Sequence, residues 1–283
     1  MENLNSHLTA IERDKMSYPS RILLKEKLIN GKVLDFGCGL GKDVETFKEK
    51  GFDIQGYDPH YFPNYPLEQF DIIICHYVLN VIFPKEQSIV IHEISKLLKK
   101  GGRAYLTVRR DIKKEGFRKH FVHKIDTYQC NVILPFKSIF KDDNMEIYEY
   151  QHYTFLNALN PLVSPFFIDN DKDQTGELLS CFAIRDKYPV SIGHTLVIPK
   201  RKVANYFELT FNEQSALWFL VNLLKKDLEI EFNPDGFNIG INIGEKAGQT
   251  VHHAHVHLIP RYTGDVAEPR GGVRGVVPEK QKY

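Results

Sequence analysis

The chain has 283 residues, 42% of them hydrophobic and 26% charged. That balance excludes a disordered or fibrous chain, and the length suits two domains better than one. Thirty-seven basic against 36 acidic side chains leave a net charge of +1, so no global field advertises nucleic acid.

In chain order, helical patterning over residues 21–29 leads to an apolar strand, 32–36, a glycine turn, and a polar helix over 42–50. Short strands follow at 53–57 and 70–75. A helix over 87–99 stops on Lys99-Lys100-Gly101-Gly102, cations followed by glycine, and 103–108 reads as a strand. Strands alternating with helices imply βαβ units and a mostly parallel sheet. Residues 160–176 hold two prolines and a polar run, which puts a boundary near 150–165. Beyond it, strands are expected at 179–184 and 193–199. Thr210 and Glu213 form a capping box that opens a helix to about residue 228. Asn233-Pro234-Asp235-Gly236 marks a turn, and 237–243 and 251–260 read as strands. One long helix among antiparallel strands is an α+β arrangement. The expected domains are 1–152, doubly wound α/β and Rossmann-like, and 153–283, α+β.

No apolar run approaches the ~20 residues that cross a bilayer. The opening MENLNSHLTAIERDK is charged where a signal peptide needs an apolar core. Cys38, Cys75, Cys130 and Cys181 stand far apart and form no CxxC pair. These features lead us to expect a cytoplasmic protein with no membrane partner and no zinc-ribbon site.

The glycine turn reads Asp35-Phe36-Gly37-Cys38-Gly39-Leu40-Gly41-Lys42. Glycine permits positive φ and close approach of backbone to a ligand, and the helix N-terminus offers free N–H groups. The dinucleotide fingerprint GxGxxG is not met, because the sixth position is Lys42. Asp35 suits a cationic or amine-bearing ligand better than a pyrophosphate. Asp58, at the end of the second strand in Gly56-Tyr57-Asp58-Pro59, is placed to accept both hydroxyls of a ribose. Acid, spaced glycines, second acid and the later Phe70–Ile74 strand resemble class I S-adenosylmethionine-dependent methyltransferases. The resemblance implies S-adenosylmethionine as cofactor, held by Asp35, Gly37, Gly39, Gly41 and Asp58. His7-x-Thr9-Ala10-Ile11-x-Arg13, the Gly56–Pro59 turn, Tyr77-Val78-Leu79-Asn80-Val81-Ile82, Thr127-Tyr128-Gln129 and Leu134-Pro135-Phe136 are similar to a bacterial group of methyltransferase-like proteins associated with DNA phosphorothioation. That likeness implies a cofactor and no particular acceptor. The run 109–124, RRDIKKEGFRKHFVHK, holds seven Lys/Arg against two acids, with Phe117 and Phe121 interleaved. It suits a nucleic-acid or polyphosphate acceptor, or else is a solvated helix face.

The second half carries His252-His253-Ala254-His255-Val256-His257. On a strand, His253, His255 and His257 share one face. Two chemistries fit: a metal site of the His-x-His kind, or attack of a neutral imidazole on phosphorus. The run resembles the histidine triad family. Ala247-Gly248-Gln249-Thr250-Val251 before it, Pro260-Arg261 after it and Gly193-His194-Thr195-Leu196-Val197-Ile198-Pro199 upstream are similar to the fragile-histidine-triad branch. The resemblance implies a bifunctional enzyme. Its second half would hydrolyse or transfer a nucleotidyl group, adenylyl first among them, of a dinucleoside polyphosphate or nucleoside phosphoramidate. His255 would be the nucleophile, His253 and His257 would orient it and contact phosphate, and His194 would support them. Asp186, Asn242, Gln249 and Thr250 would meet the nucleotide. The extra cysteine ligands of zinc-bearing relatives are missing, so no metal is expected. Such proteins are commonly homodimers. The alternative is a module, binding S-adenosylmethionine or nucleic acid, that delivers the triad to its target without methyl transfer. Glycines flanking Arg270 and Arg274 suggest a loop that lays guanidinium groups on phosphates, or a plain surface loop.

Overall fold

A computed structural model describes residues 5–120, 122–152, 164, 166, 174–178 and 180–282. The chain separates into two compact units, Met1–Gln151 and His152–Tyr283.

In the first unit, α1 (Tyr18–Lys25) starts where Ser17 caps it, accepting from Ser20 N, with proline in its first turn. It begins earlier than the apolar pattern suggests and stops before Lys27, whose φ is +56°. Strand β1 (Val33–Phe36) is buried throughout, feeds the glycine turn, and is followed by α2 (Lys42–Glu49) and β2 (Ile54–Tyr57). Strand β3 (Phe70–His76) precedes α3 (Pro84–Leu97) and β4 (Leu98–Arg109). Here Lys99–Gly102 do not merely end a helix. They bulge from β4, whose pairing with β3 jumps from Phe70↔Leu98 to Ile72↔Arg103. The anchor is Asp71, which binds Lys99 Nζ at 2.8 Å and accepts Lys32 N.

Four further strands appear where alternation in the sequence was weak: β5 (Gly116–Lys119), β6 (Asp126–Gln129), β7 (Lys137–Lys141) and β8 (Met145–Tyr150). The main sheet runs β2-β1-β3-β4-β8-β7, parallel through β4 and antiparallel beyond it. Strands β5 and β6 form a separate hairpin.

The second unit is an antiparallel sheet ordered β12-β13-β11-β10-β9. Its strands are β9 (Gln174–Glu177), β10 (Cys181–Arg185), β11 (Thr195–Pro199), β12 (Gly236–Gly240) and β13 (Val256–Arg261). The helix α4 (Phe211–Phe232) opens on the Thr210/Glu213 capping box and ends on Asn233 at φ +46°. Leu217, Leu220, Val221, Leu224 and Leu228 pack on Cys181, Ala183, Val197, Val256 and Leu258. The opposite face of the sheet carries Phe182, Ile184, Leu196 and Ile198, with Phe166. The turn Gly272–Val276 lies along the edge strand β12. Among the described residues, no helix is long and apolar enough to cross a membrane.

Candidate functional site

The histidines depart from the sequence reading in one respect. Strand β13 begins at Val256, so His253 and His255 precede it and only His257 lies on it. The inward alternation still extends back to Ala254, which is buried like Val256 and Leu258. Its amide is held by Val203 O at 2.6 Å instead of by the sheet. His255 Nδ1 lies 2.8 Å from the backbone carbonyl of His253. A carbonyl only accepts, so Nδ1 carries the proton and Nε2 keeps its lone pair. His253 has 0% exposure, with Nε2 2.8 Å from Pro199 O and Nδ1 2.8 Å from Ser164 Oγ. Both of its nitrogens are engaged, so this ring positions His255 through its carbonyl and does not reach a phosphate in this arrangement. His257 Nδ1 is 3.0 Å from His194 Nε2, while His257 Nε2 is buried without a protein partner. Val190 N donates to His194 Nδ1 at 3.4 Å. The neutral His194 ring therefore carries its proton on Nε2 and donates to His257, whose own proton falls on the unpartnered Nε2. Asp186 Oδ2, 3.3 Å from His194 Nδ1, is a counter-charge for that ring when it is protonated. Burial lowers the pKa of all four imidazoles, to about 4 for His253 and His257, so they are neutral at neutral pH.

Gln249, expected at the nucleotide, spends its amide on the loop. Its Oε1 accepts Gly244 N at 2.8 Å, and its Nε2 donates to Ala204 O and Val251 O. Thr250 is exposed and Asn242 half-buried beside the triad loop, and His252 faces solvent. Asp186 also accepts Tyr188 N at 2.9 Å, at the mouth of a cleft of about 490 Å³ that includes Arg185, Ser191 and His194.

In the first unit Gly37, Gly39 and Gly41 have φ of +80°, +54° and +81°. A Cβ on Gly37 would come 2.3 Å from Val78 Cγ2, and one on Gly41 would come 2.7 Å from the Phe62 ring. Both positions thus need glycine for conformation and for space. Asp58 accepts Gly39 N at 3.1 Å, His60 N at 2.9 Å and Tyr61 N at 3.0 Å. Three of a carboxylate's roughly four lone-pair sites are filled, which leaves room for about one ribose hydroxyl, not both. Asp35 is buried on β1, and burial, with the charge of Asp43 next, raises its pKa well above the carboxylate range.

Compared with known families, residues 169–264 match the family model described as HIT domain, and residues 10–133 match one described as Methyltransferase domain. The chain carries a HIT domain and a methyltransferase domain. Within the HIT domain the chain is similar to a bis(5'-adenosyl)-triphosphatase of Dictyostelium discoideum, 44% identical over 80 residues, 28% of this chain and 54% of that protein. It is 35% identical over 101 residues to the bifunctional bis(5'-adenosyl)-triphosphatase/adenylylsulfatase FHIT of Arabidopsis thaliana, covering 36% and 56%. It is 39% identical over 89 residues to an uncharacterized 16.1 kDa HIT-like protein of Mycoplasma pneumoniae, covering 31% and 62%. The chain thus spans from 54% to 62% of the length of these curated relatives.

Several features of the two domains were not legible beforehand. In the methyltransferase domain Asp43, 2% exposed, accepts Ser17 N at 2.7 Å, Ser17 Oγ at 2.5 Å and Ser20 Oγ at 2.8 Å, with Arg13 at 3.6 Å. Ser20 Oγ continues to His76 Nε2 at 3.1 Å, and His76 Nδ1 to Thr107 Oγ1 at 2.8 Å. The N-terminal segment crosses the glycine turn. Ala10 faces Gly39, His7 stacks on His60 with centroids 4.0 Å apart, and Tyr61 Oη donates to His7 O. The basic run leaves the end of β4 and continues into strand β5 of the hairpin, with no helix among its described residues, and Phe121 lies outside them. Arg109 pairs with Asp111 at 2.6 Å and Arg110 with Glu146 at 2.6 Å. In the HIT domain Arg274 is turned onto Lys280 O and Gln281 O, so it is not held out for phosphate. Asp186, His194 and His257 bring ligand atoms within 4.8 Å of one another, a set that could hold a metal ion. The bond between His194 Nε2 and His257 Nδ1 takes one nitrogen of each imidazole.

Proposed function

We propose that the HIT domain hydrolyses or transfers a nucleotidyl group, adenylyl first among them, at its α-phosphate, with His255 as nucleophile. The observation that carries this reading is the bond from His255 Nδ1 to the His253 carbonyl, which leaves Nε2 free to attack. In the first step Nε2 bonds to phosphorus and the bond from phosphorus to the leaving phosphate or amine breaks. In the second, water attacks phosphorus, the N–P bond breaks, and a mononucleotide departs. His257 Nε2–H, buried without a partner, is suited to donate to a phosphoryl oxygen, and His194 holds it in that tautomer. Asp186, Thr250 and Asn242 would meet the nucleotide, and Gln249 would shape the loop that does so. The names of the relatives support a dinucleoside polyphosphate as substrate, and a nucleoside phosphoramidate fits the same chemistry. Chromatography of diadenosine triphosphate incubated with the full chain tests this: AMP should form with wild type and not with His255→Ala.

For the methyltransferase domain we infer that S-adenosylmethionine binds at the glycine turn and gives its methyl group to an acceptor. The chemistry of the site supports the fit. Asp35, Asp43 and Asp58 lie about the turn, with Arg13 against Asp43; Asp35, whose carboxyl burial pushes toward the neutral form, would become counter-charge once a ligand bearing a sulfonium and an ammonium favours its ionisation. Asp35 would face the cationic part, Gly37, Gly39 and Gly41 would let backbone approach, and Asp58 would accept one ribose hydroxyl. The cofactor supplies an electrophilic methyl carbon. The chain's own contribution is to bind and orient it. Calorimetry with S-adenosylmethionine tests binding. Binding with no transfer of labelled methyl to nucleic acid, nucleotide or protein would favour a module that delivers the HIT domain to its target.

A further inference from the structure

We propose that the β5–β6 hairpin is a nucleic-acid-binding surface of the methyltransferase domain, with its lysines on phosphates and its exposed ring against a base. Its purpose, presenting an acceptor, rests on the methyl-transfer reading, but the binding itself does not. The hairpin grows from the carboxyl end of β4, the edge of an open α/β sheet where ligands collect and where the glycine turn lies. It is fixed there at both ends. Asn80, with 0% exposure, accepts Arg109 N at 2.7 Å and donates to Cys130 O at 2.8 Å. Gln129 accepts Arg109 Nη1 at 2.9 Å and also accepts Arg118. Asn5, on the segment that crosses the glycine turn, donates to Asp126 O at 3.2 Å.

Charge on the hairpin, and on residues 110–115 that lead into it from β4, is unbalanced in a definite way. Arg109 and Arg110 are consumed by Asp111 and Glu146. Lys113, Lys114 and Lys119 are exposed and make no ion pair among the described residues. Lys119 stands across the ladder from Asp126, and Glu115 accepts Asn131 N, so the two acids nearby answer only part of the positive charge. Phe117 is 38% exposed and is backed edge-on by Tyr128 and Phe83, with centroids 5.5 and 6.1 Å away. A supported ring beside unpaired lysines matches a polymer that alternates phosphates with flat bases. An acidic peptide would use the lysines and leave the ring idle.

The test is fluorescence anisotropy of the full chain with a labelled single-stranded oligonucleotide of mixed sequence, over a salt series. For Lys113→Ala/Lys114→Ala/Lys119→Ala the slope of log affinity against log salt should flatten by about 2, from three lost single-strand phosphate contacts. Phe117→Ala should weaken binding about tenfold at every salt concentration, with the slope unchanged. Lys48→Ala/Lys50→Ala, on the other side of the glycine turn's helix, should change neither. Calorimetric unfolding of the methyltransferase domain and circular dichroism confirm that the variants are folded. No binding at low salt, an unchanged slope in the triple variant, or equal affinity for polyglutamate of matched charge would overturn the proposal. A chain that binds the oligonucleotide but takes up no S-adenosylmethionine would overturn the methyl-transfer reading and leave the hairpin assignment standing.

Discussion

Removing the His253 ring should damage stability far more than chemistry, and removing the His255 ring should do the reverse. His253→Ala deletes two buried hydrogen bonds, to Pro199 O and Ser164 Oγ, at about 1 kcal/mol each. It also leaves a ring-sized cavity beside Phe166, for which about 2 kcal/mol is a moderate figure. The sum of about 4 kcal/mol is a large part of the stability of any domain, typically about 5–15 kcal/mol. With a urea dependence of about 2 kcal/mol per molar, the unfolding midpoint should fall by about 2 M. His255→Ala loses one such bond and a ring at the edge of the core, so its midpoint should move by less than about 1 M. The chain has one tryptophan, Trp218, on α4, so its emission follows the HIT domain alone. In hydrolysis of diadenosine triphosphate, His255→Ala should lose several orders of magnitude. His253→Ala, assayed cold where it stays folded, should lose about 10- to 100-fold, because the backbone carbonyl that orients His255 remains. Ser164→Ala gives a gentler reading, with a shift of about 0.5 M and little change in rate. If His253→Ala matches His255→Ala in rate and leaves the midpoint in place, His253 takes part in the chemistry and the positioning argument fails.

Four further outcomes follow from the same geometry. Protein denatured during turnover of labelled substrate should carry an acid-labile, base-stable label on His255, and His252→Ala, at an exposed ring, should form it normally; a label on another residue would displace the nucleophile. Folded-state pKa values of about 4 for His253 and His257 lie below the unfolded value near 6.5, so the unfolded chain binds more protons in acid. The HIT domain should therefore hold its full stability above about pH 6.5 and lose it progressively toward pH 4, and a flat Trp218 midpoint across that window would contradict the buried neutral rings. Asp43→Ala strands Ser17 N, Ser17 Oγ and Ser20 Oγ, and should destabilise the methyltransferase domain by about 2–4 kcal/mol in calorimetric unfolding. Asp58→Ala should weaken S-adenosylmethionine at least about tenfold by titration calorimetry, and unchanged affinity would mean that the ribose is not read there.

What could be read in the sequence was local. The glycine turn, the strand before it, the capping box of α4 and the antiparallel character of the second half follow from neighbouring residues and their period, and the fold class follows from those elements. The misreadings share a different origin. Lys99-Lys100-Gly101-Gly102 has the composition of a helix stop, but Asp71, 28 positions away, pulls Lys99 into a bulge. The histidine run alternates like a strand over six residues, yet the ladder claims it only from Val256, because Val203 and Pro199 occupy the preceding backbone and ring. Gln249 sits in a motif and spends its amide on three backbone groups that no spacing reveals. Asp43 stands in the first turn of a helix, where an acid is ordinary, and its partners Ser17, Ser20 and Arg13 lie 23 to 30 residues upstream. Partners that distant are brought together by tertiary packing, which short-range pattern does not encode.

The C-terminal turn has a consequence for solubility. Strand β12 is an edge of its sheet, and an open edge invites a strand from another chain to add to it. Gly272–Val276 runs alongside that edge, with a Cβ on Gly272 falling 3.5 Å from Asn238 Nδ2, and Arg274 ties the turn to the backbone of Lys280 and Gln281. The residues after β13 thus act as a selvedge, a finished border that keeps the weave from taking on another thread. A chain cut after Asp265 would keep every triad histidine and expose β12, and its cost would appear as concentration-dependent association before any loss of catalysis.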